Sequence, residues 1–236
     1  MNTTPHEALD LSLVIPVYNE EDNLAPLAAE IRAALEPTGL NYEVLFIDDG
    51  SRDRSFACLQ DLAAADGRVV AIRFRRNYGQ TAAFAAGFDH ARGAVIVTLD
   101  ADRQNDPADI PALLAKLKEG YDVVNGWRQN RQDNLVRRFP SRVANWLIAE
   151  TSGVHLKDRG CSLRAFRHEV VEDMNLYGEL HRFIPELVNF AGFSMAEVPV
   201  NHRARVAGAS KYGLSRTFRV ILDLFTIHFL RKYGDR

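Results

Sequence analysis

The chain has 236 residues, of which 47% are hydrophobic and 25% are charged, and its formal net charge is −2. This composition is that of one globular domain, and the near-neutral charge excludes the basic field typical of nucleic-acid-binding proteins. Two cysteines exclude a disulfide framework, and no apolar run of roughly 18 residues is present to span a membrane.

Segments typical of strands and helices alternate through the first half of the chain. Apolar runs predict strands at Leu11–Val17, Tyr42–Asp48, Val69–Phe74, 95–100 and Tyr121–Gly126. Helical periodicity lies between them, at Glu20–Leu35, Asp53–Ala65, Thr81–Ala91 and Pro107–Lys118. This alternation predicts an α/β fold with a mostly parallel central sheet flanked by helices.

The second half has a different pattern. It predicts a helix, two short strands, a basic loop and a long final helix, at Arg137–Thr151, Cys161–Phe166, Met195–Val200, Gly208–Gly213 and Leu214–Tyr233. The last helix has a broad apolar stripe with arginine and lysine at its ends, which is typical of an amphipathic helix at a membrane interface. A contact between protein copies is the alternative use of the same surface.

Two carboxylates follow the strand that ends near residue 100. In an extended segment, side chains two residues apart point the same way, so Asp100 and Asp102 are predicted to share a pocket at the carboxyl end of the sheet. Together with the amide of Gln104 they form an oxygen donor set that suits Mg²⁺ or Mn²⁺. We therefore predict a metal site that serves the phosphates of a nucleotide.

Two further loops reach the same predicted edge. Tyr18 and Glu20 follow the first strand, and Asp49 follows the second. Each loop alone is explained by turn and helix-cap chemistry. Taken with Asp100 and Asp102, however, they place acidic groups on three loops of one edge, and such charges repel unless a ligand or cation is present. The combination favours a nucleotide-binding site.

The chain resembles glycosyltransferase family 2 of the GT-A fold, and in particular its polyprenyl-phosphate branch. The resemblance rests on the segments Ile15–Glu21, Ile47–Ser51, Asn77–Gln80, Asp100–Gln104, Arg128–Asp133, Gly160–Phe166, His181–Pro185 and Gly208–Gly213. It implies a Rossmann-like catalytic domain over residues 1–212, with a nucleotide-sugar half (1–126) and an acceptor half (127–212). Residues 213–236 would then form an amphipathic juxtamembrane helix.

The resemblance also implies roles for individual residues. The nucleoside pocket would be lined by Pro16, Tyr18, Glu20 and Asp49. Asp100 and Asp102 would hold the ribose and the metal–diphosphate, with Gln104 as a further metal contact. The remaining implied residues act on the reacting phosphates and the acceptor, and they are Arg128, Arg142, Asp158, Arg205 and Lys211.

Two features depart from the family pattern. Position 103 is arginine where many relatives carry leucine, and we expect Arg103 to point away from the metal side chains. Relatives commonly continue into transmembrane helices after a segment like Leu230–Arg236. We therefore expect either a longer native protein or one that works from the cytoplasmic membrane surface.

The nature of the acceptor decides which catalytic groups are needed. A polyprenyl phosphate is mostly a dianion at neutral pH, since its second pKa is about 6, and it needs cations rather than a general base. The arginines and the lysine of the second half supply them. The preferred function is thus inverting transfer of a sugar from a UDP- or GDP-sugar to polyprenyl phosphate.

Two alternatives remain. A family 2 enzyme acting on a glycan or protein hydroxyl would need a carboxylate base, for which Asp158 is the candidate. A non-catalytic nucleotide-sugar-binding protein would not need the intact Asp100, Asp102, Gln104 and Lys211.

Overall fold

The structure, a computed structural model, describes residues 9–129, 154, 156–172 and 174–204. The predicted helices at 137–151 and 214–233 and the predicted loop at 208–213 lie outside these residues. No helix in the described part of the chain is long and apolar enough to cross a membrane.

The described residues contain a seven-stranded sheet in the order β3-β2-β1-β4-β6-β5-β7. Its strands are β1 Leu11–Val17, β2 Tyr42–Asp48, β3 Val69–Arg73, β4 Val95–Thr98, β5 Val123–Arg128, β6 Arg164–Arg167 and β7 Met195–Val200. Within this sheet only β6 is antiparallel to its neighbours. The predicted, mostly parallel α/β architecture is confirmed.

Helices cover both faces of the sheet. They are α1 Glu21–Leu35, α2 Ser55–Ala65, α3 Gln80–His90, α4 Ile110–Leu117, α5 His168–Glu172 and α6 Ile184–Phe190. Three short 3₁₀ segments join them, at Glu36–Thr38, Pro107–Asp109 and Leu180–Phe183. The sequence patterns did not predict α5, α6 or the last 3₁₀ segment.

The two faces of the sheet carry separate apolar cores. Alternate residues of β1 and β2 pack on opposite sides, so that Leu13 and Phe46 face α1, α2 and α4, whereas Val14 and Ile47 face α3, α5 and α6. A strand buried on both faces reads as a continuous apolar run, which is how these strands appear in the sequence. The buried sheet is a rigid platform whose carboxyl edge is free to carry functional loops.

Candidate active site

The carboxyl ends of six strands meet at one edge of the sheet. The parallel register places Val17, Asp48 and Thr98 at this edge, and β5 and β7 end there at Arg128 and Val200. The antiparallel β6 instead begins there, because Arg164 pairs with Thr98. Loops from both halves of the chain therefore meet where open α/β sheets bind ligands.

The Asp100 and Asp102 carboxyls lie in a turn after β4. The strand ends at Thr98, two residues earlier than the sequence predicted, so the two side chains are brought together by a turn and not by an extended segment. Burial raises the pKa of Asp100, and the neighbouring Asp102 carboxylate raises it further. A divalent cation would relieve this repulsion.

Residue Arg103 adopts a left-handed backbone conformation in the same turn, with φ 60°. Its Nε and Nη2 donate to Oε1 of Glu30 on α1, at 3.2 Å and 2.5 Å. Arg103 thus points away from the carboxylates, as expected, although a turn and not strand alternation directs it. The backbone amide of the next residue, Gln104, donates to Oδ1 of Asp102 at 3.1 Å.

Asp49 at the end of β2 holds the loop that precedes α3. Its two carboxylate oxygens accept the amides of Tyr78 at 2.6 Å and Gly79 at 2.9 Å. Burial raises the pKa of Asp49, and the nearby Asp48 adds to the shift, while the two amides act in the opposite direction. The side chain predicted to contact the nucleoside therefore also fixes the backbone of the Asn77–Gln80 segment.

The predicted nucleoside contacts Pro16, Tyr18 and Glu20 are all partly buried, with Pro16 near the end of β1 and the other two in the loop that follows. The loop after β1 is tied to the loop after β2, since the backbone amide of Asn19 donates to Oγ of Ser51 at 2.9 Å, and to the start of α2, since the backbone amide of Glu20 donates to Oγ of Ser55 at 2.8 Å. The Glu20 carboxylate accepts from Nδ2 of Asn23 at 2.7 Å. The first two acidic loops thus form one connected wall of the site.

Arg128 and Asp158 form a buried bidentate ion pair. Nε and Nη2 of Arg128 lie 2.6 Å and 2.9 Å from the two carboxylate oxygens, and the side chains are only 12% and 7% exposed. Asp158 also accepts the amide of Gly160 at 3.1 Å. Burial alone would lower the pKa of Arg128, but the hydrogen bonds and charge of Asp158 outweigh it and raise that pKa.

Gln80 and Ser162, to which the sequence patterns assigned no role, both hydrogen-bond Asp100. The first residue of α3, Gln80, donates from Nε2 to Oδ1 of Asp100 at 2.9 Å. The guanidinium of Arg164 is buried nearby and its charge lowers the pKa of Asp100. Gln80 lies in the Asn77–Gln80 segment that carries the family resemblance, which is the signal that could have identified it.

The described residues bring together Pro16, Tyr18, Glu20, Asp49, Asp100, Asp102, Gln104, Arg128 and Asp158 at one edge. Arg142, Arg205 and Lys211 lie outside the described residues. In the described part of the chain no group of three or more His, Cys, Asp or Glu side chains is arranged to hold a metal ion. A donor set of two carboxylates and an amide fits an ion that takes its remaining ligands from phosphate and water.

Comparison with known proteins identifies the family. The family model for glycosyl transferase family 2 matches residues 12–174. Dodecaprenyl-phosphate galacturonate synthase of Rhizobium johnstonii is 44% identical over 98% of this chain and 70% of its own length. Undecaprenyl-phosphate 4-deoxy-4-formamido-L-arabinose transferase of Shewanella sediminis is 47% identical over 92% of this chain and 66% of its own. The chain thus spans about two thirds of the length of these relatives.

Solved structures confirm the fold. Glucosyl-3-phosphoglycerate synthase of Mycobacterium tuberculosis, crystallised with Mn²⁺, UDP and glucosyl-3-phosphoglycerate, has a TM-score of 0.69 at 18% identity, over 94% of this chain and 80% of its own. Mannosyl-3-phosphoglycerate synthase of Rubrobacter xylanophilus has a TM-score of 0.70 at 18% identity, over 97% and 76%. The predicted GT-A architecture is thereby confirmed, and the family match shows that the chain belongs to glycosyltransferase family 2.

Proposed function

We propose that the protein is a metal-dependent inverting glycosyltransferase that moves one sugar from a nucleotide-sugar to polyprenyl phosphate. The general reaction is supported by the two relatives named above, whose names describe sugar transfer to polyprenyl phosphates. The sugar donor is a UDP- or GDP-sugar.

The donor would bind along the loops after β1, β2 and β4. Pro16, Tyr18, Glu20 and Asp49 would surround the nucleoside, because they lie at the ends of β1 and β2 or in the loops that follow, and these two loops are hydrogen-bonded to each other. Asp100 and Asp102 would face the ribose and the diphosphate. A polar wall of this kind fixes the orientation of a nucleotide, while the sheet below keeps the wall rigid.

Asp100, Asp102 and Gln104 would hold Mg²⁺ or Mn²⁺. The fit is supported by the position of both carboxyls in one turn, where burial and the charge of Asp102 raise the pKa of Asp100. When bound, the ion supplies positive charge to the leaving diphosphate. Asp102 offers a pre-positioned ligand, because it is buried and its carboxylate accepts a hydrogen bond from the backbone amide of Gln104.

The acceptor assignment rests on a single observation, the Arg128–Asp158 ion pair. A hydroxyl acceptor needs a base to remove its proton, and Asp158 is the residue that would have to serve. Its oxygens are instead engaged by Arg128 and by the amide of Gly160. A carboxylate stabilised in this way is a poor base, whereas a phosphate dianion needs none.

In the proposed step, a phosphate oxygen of the lipid attacks the anomeric carbon of the sugar. The bond from that carbon to the donor diphosphate breaks, and its electron pair leaves with the nucleoside diphosphate. Attack from the opposite side inverts the configuration. Catalysis is then positioning and charge stabilisation, to which Arg128, Arg142, Arg205 and Lys211 are proposed to contribute, with Asp158 orienting Arg128 on the acceptor side.

The acceptor also defines where the protein would work. Polyprenyl phosphate lies in a membrane, so we place the enzyme at the cytoplasmic membrane surface, with residues 213–236 as the interfacial helix. A contact between copies through that helix would be compatible with the same reaction. The near-neutral net charge gives no reason to expect nucleic acid as a partner.

A donor panel tests the proposal. Purified protein is incubated with Mn²⁺, undecaprenyl phosphate in detergent and each UDP- or GDP-sugar, and both nucleotide release and lipid-linked sugar are measured. Undecaprenol, which lacks the phosphate, is the matched acceptor control. Product with the phosphate but not with the alcohol supports the proposal; nucleotide release with no lipid product, or product with the alcohol, would contradict it.

Substitution of Lys211 tests the proposed role of the basic loop. Lys211→Ala should lower turnover more than donor affinity if the lysine acts on the reacting phosphates. Unchanged turnover would remove Lys211 from the mechanism.

A further inference from the structure

One carboxylate on α1 joins two arginines that are distant in the sequence. Oε1 of Glu30 accepts from Arg103 at 2.5 Å, and Oε2 accepts from Nη1 of Arg203 at 2.9 Å. Arg103 belongs to the turn Asp100–Gln104, the proposed metal turn, whereas Arg203 lies in the segment after β7. The Glu30 side chain is 25% exposed, so the cluster is only partly screened by water.

The segment around Arg203 is fixed to the same turn by its backbone. The amide of Arg203 donates to the carbonyl of Gln104 at 2.8 Å, and Asn105 and His202 form an antiparallel bridge. Nη2 of Arg203 also lies 2.6 Å from Oδ2 of Asp106. The chain after β7 is therefore fastened directly to the proposed metal turn.

A further contact fastens the start of this segment. Asn201 donates from its amide and from Nδ2 to the carboxylate of Asp109, at 2.7 Å and 3.0 Å. Asp109 closes the 3₁₀ turn that leads into α4. The segment 201–204 is thus held at both ends, by α1 on one side and by the start of α4 on the other.

The backbone of Arg103 gives a reason for this arrangement. A non-glycine residue at φ 60° is uncommon, and such residues persist where their surroundings hold them. Glu30 holds Arg103 by two hydrogen bonds from a helix whose other face is buried in the core through Leu27 and Ile31. The same anchor holds Arg203.

We propose that Glu30 is a positioning residue that sets the distance between the turn Asp100–Gln104 and the segment 201–204. This inference rests on the proposed function. In it, α1 fixes the positions of both the turn Asp100–Gln104 and the segment 201–204. Glu30 acts through Arg103 on the turn that carries Asp102, and through Arg203 on the segment 201–204.

The test compares Glu30→Gln, Arg203→Gln and the double variant with the wild type. Glu30→Gln keeps the size of the side chain but removes its charge and replaces one of the two acceptor oxygens by an NH₂ donor, so it can no longer accept from both guanidiniums. Its kcat should fall about tenfold while the KM for the donor stays within about twofold, because a small misplacement of reacting groups lowers turnover more than binding. The double variant should lose no more than about threefold beyond Glu30→Gln, since the residues act as one unit.

Asp66→Asn is the matched control. Asp66 also pairs with an arginine of α1, Arg32, at 3.2 Å, but it precedes β3 at the opposite edge of the sheet. This variant removes an ion pair of the same helix and should keep the wild-type kcat. A similar loss of kcat in both variants would show that any weakening of α1 is enough, and would overturn the proposal.

Hydrogen exchange separates failure of this inference from failure of the proposed function. Glu30→Gln should speed exchange at residues 201–204, where the Arg203 amide is bonded to Gln104, without any acceptor present. If the wild type makes no lipid product, the rate comparison uses metal-dependent donor hydrolysis instead. Wild-type kcat, or unchanged exchange at 201–204, in Glu30→Gln would overturn the positioning role.

Discussion

The guanidinium of Arg128 donates two hydrogen bonds, of 2.6 Å and 2.9 Å, to the carboxylate of Asp158, which lies thirty residues later in the chain. Both side chains are buried, so neither charge has water to replace its partner. The pair joins the end of β5 to the segment that leads into β6. Removing one partner should destabilise the protein more than breaking a surface ion pair would, because it leaves a buried charge without a partner.

Asp158→Asn should therefore lower the free energy of unfolding by about 3 kcal/mol, the cost typical of breaking a buried pair. Urea unfolding followed by circular dichroism measures it. The double variant Asp158→Asn with Arg128→Met should recover part of the loss, since it removes the unpaired charge. A single variant as stable as the wild type would show that the pair is loosely formed in solution.

Asp102→Ala should abolish metal-dependent donor binding. Asp102 is buried and accepts a hydrogen bond from the backbone amide of Gln104, so the substitution removes a pre-positioned ligand. Titration calorimetry of UDP or GDP with and without Mn²⁺ gives the measurement. Asp106→Asn, on the same loop, is the control and should retain binding; Mn²⁺-dependent affinity in Asp102→Ala would contradict the metal assignment.

Asp100→Asn should make the metal-free protein more stable at neutral pH. The pKa of Asp100 is raised to about 6 by burial and by Asp102, so the folded state holds a proton that the unfolded state has already lost. Wild-type stability therefore falls as pH rises from about 4 to about 6, and the asparagine should recover about 1–2 kcal/mol above that range.

Urea unfolding with a chelator at pH 5 and pH 7.5 checks this. The gain from Asp100→Asn should be larger at the higher pH, and added Mn²⁺ should stabilise only the wild type. An Asp100→Asn protein that is less stable than the wild type at both values would show that the carboxylate is well solvated.

Gly50→Ala should destabilise the site far more than Gly39→Ala, although both glycines have φ 68°. A Cβ at Gly50 would lie 2.5 Å from the backbone carbon of Arg76, whereas at Gly39 nothing lies within 4 Å. Gly39→Ala should lower the free energy of unfolding by about 1 kcal/mol, because alanine disfavours the left-handed conformation. Gly50→Ala should lower it by about 2–4 kcal/mol, because the backbone must also shift. Equal losses of unfolding free energy would contradict the close approach.

The sheet could be predicted from sequence because its strands are buried on both faces. The predicted ranges of β1, β2 and β7 match the structure. Pro16 does not interrupt β1, since the carbonyl of Val14 accepts the amide of Leu99 and β4 pairs only as far as that residue. The missing amide of Pro16 therefore faces a position where no strand remains to be paired.

Other parts depended on contacts that spacing does not reveal. The apolar run of β4 continues through Leu99, but the strand ends at Thr98, where its pairing with β6 ends. The short helices α5 and α6 are held by packing of Val170, Ile184 and Val188 into the core and not by their own length.

The same distinction applies to the residues of the candidate site, some of which could be identified from the sequence and some of which could not. The carboxylates and Gln104 could be identified because they follow strands in chain order. The role of Glu30 could not, since it depends on Arg203, which is 173 residues away in the sequence. Gln80 belongs to a segment of the family resemblance, but local spacing does not reveal its contact with Asp100, 20 residues away. Long-range pairs of this kind are set by the fold and not by local spacing.

The reversed direction of β6 makes one connection of this enzyme replaceable. Strands β5 and β6 are antiparallel neighbours, with Asn125 opposite Arg164, so the chain leaves and re-enters the sheet at adjacent points of the same edge. Loop length between such points costs little free energy. A change in the length of this connection should therefore leave the pairing of β5 with β6 in place, so this edge of the sheet tolerates insertions between the two strands.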